Sequence, residues 1–157
     1  MNVSRILQIA TAGYLVLVGF VTLRTQPVDP PEVGPIWFVL HFLGRHTLTS
    51  WITFDRAEFF GNVTMFVPIG LLLTLLLGRR RWWLVLLIGA LMTCGIEFAQ
   101  RYIAGRVSDL RDLVSNSIGT VVGVVTAAVV FRLHDRLLRS RAAVQRSPVD
   151  GLPAAHR

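Results

Sequence analysis

Seven polar residues of this sequence have the types and the spacing from which a binding site could be built. Glu97 and Gln100 are three residues apart, which places them on one face of a helix. Asp109, Asp112 and Asn116 follow at positions i, i+3 and i+7 and share a helical face in the same way. The candidate ligand-binding set is Asn62, Glu97, Gln100, Arg106, Asp109, Asp112 and Asn116.

Two kinds of ligand suit these groups. Carboxylate and amide oxygens are what a hard cation such as Mg²⁺ or Ca²⁺ prefers. Arg106 could instead hold a phosphate or carboxylate through paired hydrogen bonds. The sequence contains no candidate for a Ser/His/Asp triad, no glycine-rich phosphate loop and no Cys/His metal spacing. It therefore identifies no nucleophile, no particular metal and no other cofactor, and it leaves enzymatic activity open.

Structural roles explain part of the same pattern. Ser108 or Asp109 could cap a following helix, where acidic residues interact favourably with the helix dipole. Glu97 could form an ion pair with Arg101, four residues on, or with Arg106 in the next loop. Capping needs only one acid, however, and not a stripe of three polar residues. Ligand binding is therefore the favoured interpretation, and a structural role is the alternative.

Composition and hydropathy indicate which elements must position these residues. Of the 157 residues, 53% are hydrophobic and 16% are charged, whereas about a quarter are charged in soluble domains. Four apolar blocks are long enough to cross a hydrocarbon core of about 30 Å, and they are Ile6–Leu23, Phe59–Leu77, Trp82–Tyr102 and Leu113–Phe131. We therefore predict an all-α, multi-pass protein of the cell membrane with a four-helix transmembrane bundle. The first block is interpreted as an uncleaved helix because no signal-peptide cleavage site follows it.

The arginines predict how the bundle is oriented. The chain has no Lys, and its sixteen Arg residues are concentrated at the ends of the apolar blocks. This arrangement is typical of topology signals, so no nucleic-acid partner is expected. With both termini in the cytoplasm, ten Arg residues lie on the cytoplasmic side and six on the other. The excess predicts cytoplasmic N and C termini and puts the polar residues at the outer leaflet.

The same patterns divide the chain into four parts. Residues 1–24 form the first transmembrane helix, residues 25–58 an extracytoplasmic, Pro-rich interfacial loop, residues 59–134 a core of three transmembrane helices, and residues 135–157 a basic cytoplasmic tail. We expect the tail to extend the last helix at first and to be disordered from about Ser147. Gly119 and Gly123 form a GxxxG pair, which favours close packing between helices.

The polar residues, taken in chain order, resemble the motifs of the VanZ-like family of small bacterial membrane proteins. The pattern is Asn62-x-x-x-Phe66-x-Pro68-x-Gly70, Glu97-x-x-Gln100 and Arg106-x-x-Asp109-x-x-Asp112-x-x-x-Asn116-x-x-Gly119. The resemblance covers about Asn62 to Gly123, so residues 59–134 would be the VanZ-like core. It implies a four-helix membrane fold and a cell-envelope setting. The family's namesake is associated with low-level resistance to the glycopeptide teicoplanin.

Two functions are compatible with these observations. The first is an accessory envelope protein whose outward-facing polar cluster binds a lipid headgroup, a lipid-linked cell-wall intermediate or a glycopeptide. The alternative is a metal-dependent, membrane-embedded enzyme acting on a lipid-linked phosphate or sugar, in which Glu97, Asp109 and Asp112 hold the cation. A transporter is less favoured because four helices leave little room for a pathway. Membrane lipid is the expected partner, and homo-oligomerisation is left open.

Overall fold

The described part of the protein is helical and contains no strand. A computed structural model describes residues 2–23, 51–103 and 109–145. Its long helices are α1 Val3–Leu23, α2 Phe54–Leu77, α3 Trp82–Gln100 and α4 Leu110–Gln145, and a short 3₁₀ turn, Arg79–Arg81, connects α2 to α3. Each of the four helices contains a stretch long and apolar enough to cross a membrane, with mean hydropathies of 1.8 to 2.0. The predicted all-α fold, with four helices long and apolar enough to span a membrane, is confirmed.

Helix α2 begins earlier than its apolar block predicts. Thr53 caps the helix, because its side-chain oxygen accepts a hydrogen bond of 3.4 Å from the backbone N–H of Arg56. The first turn is polar and contains Asp55, which interacts favourably with the helix dipole. The helix ends at Gly78, whose φ of +83° suits a residue without a Cβ. Its N–H there donates to the carbonyl of Thr74.

Helix α4 is longer than a membrane requires. Its 36 residues correspond to about 54 Å at 1.5 Å per residue, compared with a hydrocarbon core of roughly 30 Å. Arg79 Nη1 lies 2.9 Å from Asp135 Oδ2, so the turn between α2 and α3 sits beside this point of α4. The helix continues from there to Gln145. The prediction that the tail extends the last helix is confirmed, whereas the expected disorder from Ser147 lies outside the described residues.

Glycines allow α2 and α4 to pack closely. A Cβ added at Gly119 would overlap the carbonyl oxygen of Val63, and one added at Gly123 would overlap that of Val67. Gly70 on α2 faces the backbone of α4 in the same way. The GxxxG prediction is thus confirmed. Backbone contact of this kind is how transmembrane helices associate when burial of apolar surface provides little driving force.

The described residues have a mixed interior and an apolar exterior. Phe66, Ile69 and Val85 form the buried apolar centre. Polar residues are buried beside them: Thr11, Thr22, Thr74, Thr93, Glu97, Gln100, Ser115, Asn116 and Thr120. Large apolar side chains cover the outside, among them Phe20 and Leu91. Many exposed large apolar side chains suit a lipid-facing surface and would be a liability in water.

Contacts between helix termini define the two ends of the bundle. Gln100 Nε2 donates to the carbonyl of Thr22, which joins the C-terminal ends of α3 and α1. Asn62 and Asp112 are hydrogen-bonded, which joins the beginnings of α2 and α4. We call this end, marked by Asn62, Gln100 and Asp112, the polar end. The opposite end carries the turn Arg79–Arg81, and we call it the basic end.

Candidate functional site: a polar cluster at one end of the bundle

A hydrogen bond between α2 and α4 forms the outer part of the site. Asn62 Nδ2 donates to Asp112 Oδ1 at 2.8 Å, between residues 50 positions apart in the sequence. Both side chains are half-buried. The two helices run in the same direction, and the contact of Gly119 with Val63 holds them together just below this bond. The structure therefore brings together two of the residues that the sequence predicted.

The inner part of the site lies between α3 and α4. Glu97 is 6% exposed and Asn116 is 2% exposed. Asn116 Nδ2 donates to Thr93 Oγ1 at 3.0 Å. Thr93 lies one turn before Glu97 on α3, and Asn116 lies one turn after Asp112 on α4. Since α3 and α4 are antiparallel, the Asn116–Thr93 pair lies directly beneath Asp112 and Glu97.

One buried polar atom between α3 and α4 lacks a hydrogen-bond partner among the described residues. The side-chain oxygen of Asn116 is buried and accepts no hydrogen bond from any described residue. Buried amide oxygens nearly always have a partner, so this oxygen could accept a hydrogen bond from a ligand or a water. The sequence predicted Asn116 but missed Thr93. The signal was the spacing of four residues between Thr93 and Glu97, which places both on one face.

Negative charge dominates the electrostatics around Asp112. Glu58, Glu97 and Asp109 all lie close enough to interact electrostatically with its carboxylate. The Asn62 amide stabilises the charged form of Asp112 by donating to it. Glu58 was not among the predicted site residues, although it lies one turn before Asn62 on the same helical face. The four carboxylates create a region that favours a positively charged or hydrogen-bond-donating group.

Asp109 has a structural role, the capping of α4, which the sequence analysis gave as the alternative to ligand binding. Its Oδ1 accepts a hydrogen bond of 2.9 Å from the backbone N–H of Arg111. The backbone carbonyl of Asp109 accepts from the N–H of Asp112 at 3.0 Å. Asp109 therefore caps α4. Arg111 in turn lies 3.5 Å from the exposed carboxylate of Asp55.

Gln100 connects two helices at the polar end. Its Nε2 donates to the carbonyl oxygen of Thr22 at 3.0 Å, and the side chain is buried. The bond satisfies one of the carbonyls that the last turn of α1 leaves without a partner in its own helix. Arg101 is exposed at the end of α3. Arg106, the last predicted site residue, lies outside the described residues.

The described residues do not provide a metal centre. No group of three or more His, Cys, Asp or Glu side chains among them is placed to hold a metal ion. Glu97, Asp109 and Asp112, the proposed cation ligands of the enzyme alternative, do not form such a group. The enzyme alternative therefore gains no support from this part of the chain.

The fold and the site together define a small helical membrane protein, with four helices long and apolar enough to span a membrane and a carboxylate and amide cluster at one end. The model of the VanZ/LLP1 family matches residues 9–132, which is most of the chain. The protein thus belongs to the VanZ-like family. The match includes α1 from residue 9 onward and residues 25–58, where the sequence alone showed no recognisable motif. Searches of curated proteins and of solved structures gave no significant match.

Proposed function

We propose that this VanZ-family protein is an accessory protein of the bacterial cell membrane that binds the polar head of an amphiphile. The observation that carries the proposal is the layering of the cluster, in which half-buried Asp112 and buried Glu97 lie one helical turn above buried Asn116. A carboxylate inside a membrane protein costs a few kcal/mol unless it is compensated. A bundle that needed only stability would have apolar residues at such positions. Ionisable residues at such positions are therefore candidates for a binding role.

The arginines support an outward orientation of the cluster. The basic end includes the turn Arg79–Arg81 and, on α4, Arg132, Arg136, Arg139 and Arg141. The exposed Trp82 and Trp83 follow that turn directly, and exposed Trp is typical of the headgroup level. With the basic end in the cytoplasm, the polar end faces the outer leaflet. The amphiphile is then a lipid headgroup, a lipid-linked cell-wall intermediate or a glycopeptide such as teicoplanin.

Retention of lipid by the purified protein tests the binding role. Native mass spectrometry of the full chain, purified with endogenous lipid, would count the lipids that remain bound in Asp112→Asn and Glu97→Gln variants. We expect both variants to retain less lipid than the wild type. Asp135→Asn is the matched control, because it removes a carboxylate at the basic end. Equal retention by all four proteins would contradict the proposal.

Drug susceptibility tests the physiological role. We expect expression of the wild-type protein in a teicoplanin-susceptible bacterium to raise the minimum inhibitory concentration severalfold. Asp112→Asn should abolish the increase while the protein still accumulates in the membrane, and Asp135→Asn should preserve it. If the wild type gives no protection, teicoplanin resistance is not a function of this protein.

A further inference from the structure

We infer that the basic end of the bundle is a binding surface for anionic phospholipids, separate from the polar cluster at the other end. Two elements meet there, the turn Arg79–Arg81 and the part of α4 that follows Phe131. Arg79 Nη1 donates to Asp135 Oδ2 at 2.9 Å, and this bond holds the turn against α4. The arginines of the two elements are therefore brought together on one surface.

The face of α4 that carries Asp135 also carries three arginines. The spacing i, i+3, i+4 and i+7 belongs to a single helical face, and the residues at these positions are Arg132, Asp135, Arg136 and Arg139. Side chains one turn apart on such a face have their Cβ atoms about 6 Å apart. Two neighbouring guanidinium groups on α4 are thus close enough to contact one phosphate group.

Carboxylates are scarce on this surface. The six arginines of the turn and of the α4 face are all exposed, and Asp135 is the single acidic residue between them. Asp135 pairs with Arg79, and the other ion pair of the described residues lies at the polar end. Five arginines therefore have no acidic partner among the described residues: Arg80, Arg81, Arg132, Arg136 and Arg139. A ligand of this surface must supply negative charge and hydrogen-bond acceptors.

The position of the surface along the bundle favours a lipid over a soluble anion. Trp82 and Trp83 follow the turn directly and are 52% and 54% exposed, and exposed Trp is typical of the headgroup level. From Leu110 to Phe131, α4 rises about 32 Å, close to the thickness of a hydrocarbon core of roughly 30 Å. Arg132 is then the first residue of α4 beyond the core, at the depth of the lipid phosphates.

The direction of α4 turns its arginines toward the bilayer. The Cα–Cβ bonds of a helix are tilted toward its N-terminus, and α4 begins at the polar end, on the far side of the hydrocarbon core. The arginines that follow Phe131 therefore lean back toward the headgroups. Each planar guanidinium can pair with two phosphate oxygens at once, which the ammonium of Lys cannot do.

Two double variants separate phosphate recognition from charge. Arg132→Gln with Arg136→Gln removes both charges, and Arg132→Lys with Arg136→Lys keeps the charges without the planar guanidinium. Native mass spectrometry of the purified full chain would measure competition between phosphatidylglycerol and phosphatidylcholine with identical acyl chains. We expect the wild type to prefer phosphatidylglycerol. The Gln variant should lower the preference about thirtyfold, because one basic residue near an anionic surface contributes about fivefold, and the Lys variant should lower it less.

The matched control removes two exposed arginines at the polar end, Arg101→Gln with Arg111→Gln, and should keep the wild-type preference. A Gln variant at the basic end that is as selective as this control would overturn the inference. A Lys variant as selective as the wild type would also overturn it, because charge alone would then explain the preference. Displacement of phosphatidylglycerol by inorganic phosphate would overturn the assignment to a lipid.

This inference stands or falls independently of the proposed function. The preference for an anionic lipid responds to arginines at the basic end, whereas retention at the polar cluster responds to Asp112 and Glu97. Asp135→Asn makes the basic surface more positive and leaves an amide oxygen that can accept from Arg79, so it should not lower the preference. A lower preference in Asp135→Asn would contradict the role of net positive charge at this surface.

Discussion

Hydroxyl groups in the bundle interior bond mainly within their own helices. Thr120 Oγ1 donates to the carbonyl of Asn116, and Thr74 Oγ1 donates to that of Gly70. Such bonds satisfy a polar group without specifying which helix lies beside it. Thr93 differs because its oxygen also accepts a hydrogen bond from another helix, through Asn116 Nδ2. That bond fixes α3 against α4 at the level of the site.

Substitution of Thr93 by Val tests the value of this bond. Val has nearly the same shape as Thr but cannot accept a hydrogen bond, so the Asn116 amide would lose its partner. We expect Thr93→Val to destabilise the protein by about 1 kcal/mol, measured as a lower Tm in detergent. Thr126→Val is the matched control, since Thr126 is exposed and donates to the carbonyl of Val122 in its own helix. Equal Tm values for the two variants would contradict this role of Thr93.

The sequence could predict single residues only where the residue type is unusual in its surroundings. Asn62, Glu97 and Asn116 were predicted because such side chains are rare in apolar blocks. Thr93 was missed because a buried Thr usually bonds to its own helix and carries no signal. Asp109 had two interpretations in the sequence, and only the observed bond from Arg111 N showed that it caps α4.

Helices α2 and α4 show how an element positions the site. Their glycine contacts lie between Val63 and Gly119 and between Val67 and Gly123. The site begins one residue before Val63, at Asn62. An increase in the distance between the two backbones would therefore also lengthen the 2.8 Å bond from Asn62 to Asp112. Gly119 and Gly123 therefore help to keep Asn62 and Asp112 within hydrogen-bonding distance.

Gly123→Ala tests this support at the level of the helix pair. The added Cβ would overlap the Val67 carbonyl, a backbone atom that cannot rotate away. We expect a loss of roughly 1 to 3 kcal/mol, typical of overpacking, and a lower Tm in detergent. Gly95→Ala on α3 is the control, because a Cβ there would meet nothing within 4 Å. A Gly123→Ala variant as stable as Gly95→Ala would show that the helices do not need this close approach.

Hydropathy predicted the number of helices but not their ends. The first five residues of α2 include Asp55, Arg56 and Glu58, so an apolar pattern does not extend over them, although Thr53 caps the helix there. The part of α4 after Phe131 is rich in Arg. Its exposed Leu137 and Leu138 are too few for hydropathy to predict a transmembrane segment there. Helix ends are set by capping residues and by polar residues that lie in water. An apolar block indicates only the part of a helix that lies in the hydrocarbon core.

The molecule as a whole has two chemically different ends. Among the described residues, the polar end carries the carboxylates of Asp55, Glu58, Asp109 and Asp112, and the basic end carries most of the arginines. The side-chain contacts of the bundle follow the same division, with Asn62–Asp112 at one end and Arg79–Asp135 at the other. Such an asymmetric charge distribution gives a membrane protein one preferred orientation, because Arg-rich segments remain in the cytoplasm.

Cysteine labelling tests this orientation for the whole protein. Cys94 is the only cysteine of the chain, so Cys94→Ser gives a cysteine-free parent that should not be labelled. Single cysteines would then replace exposed residues at the two ends, as Asp55→Cys at the polar end and Arg80→Cys at the basic end. In intact bacterial cells, a membrane-impermeant maleimide should label the first variant and not the second, and lysis should make both reactive. Labelling of Arg80→Cys alone in intact cells would invert the proposed orientation and place the cluster at the cytoplasmic leaflet, where it could not meet an extracellular glycopeptide.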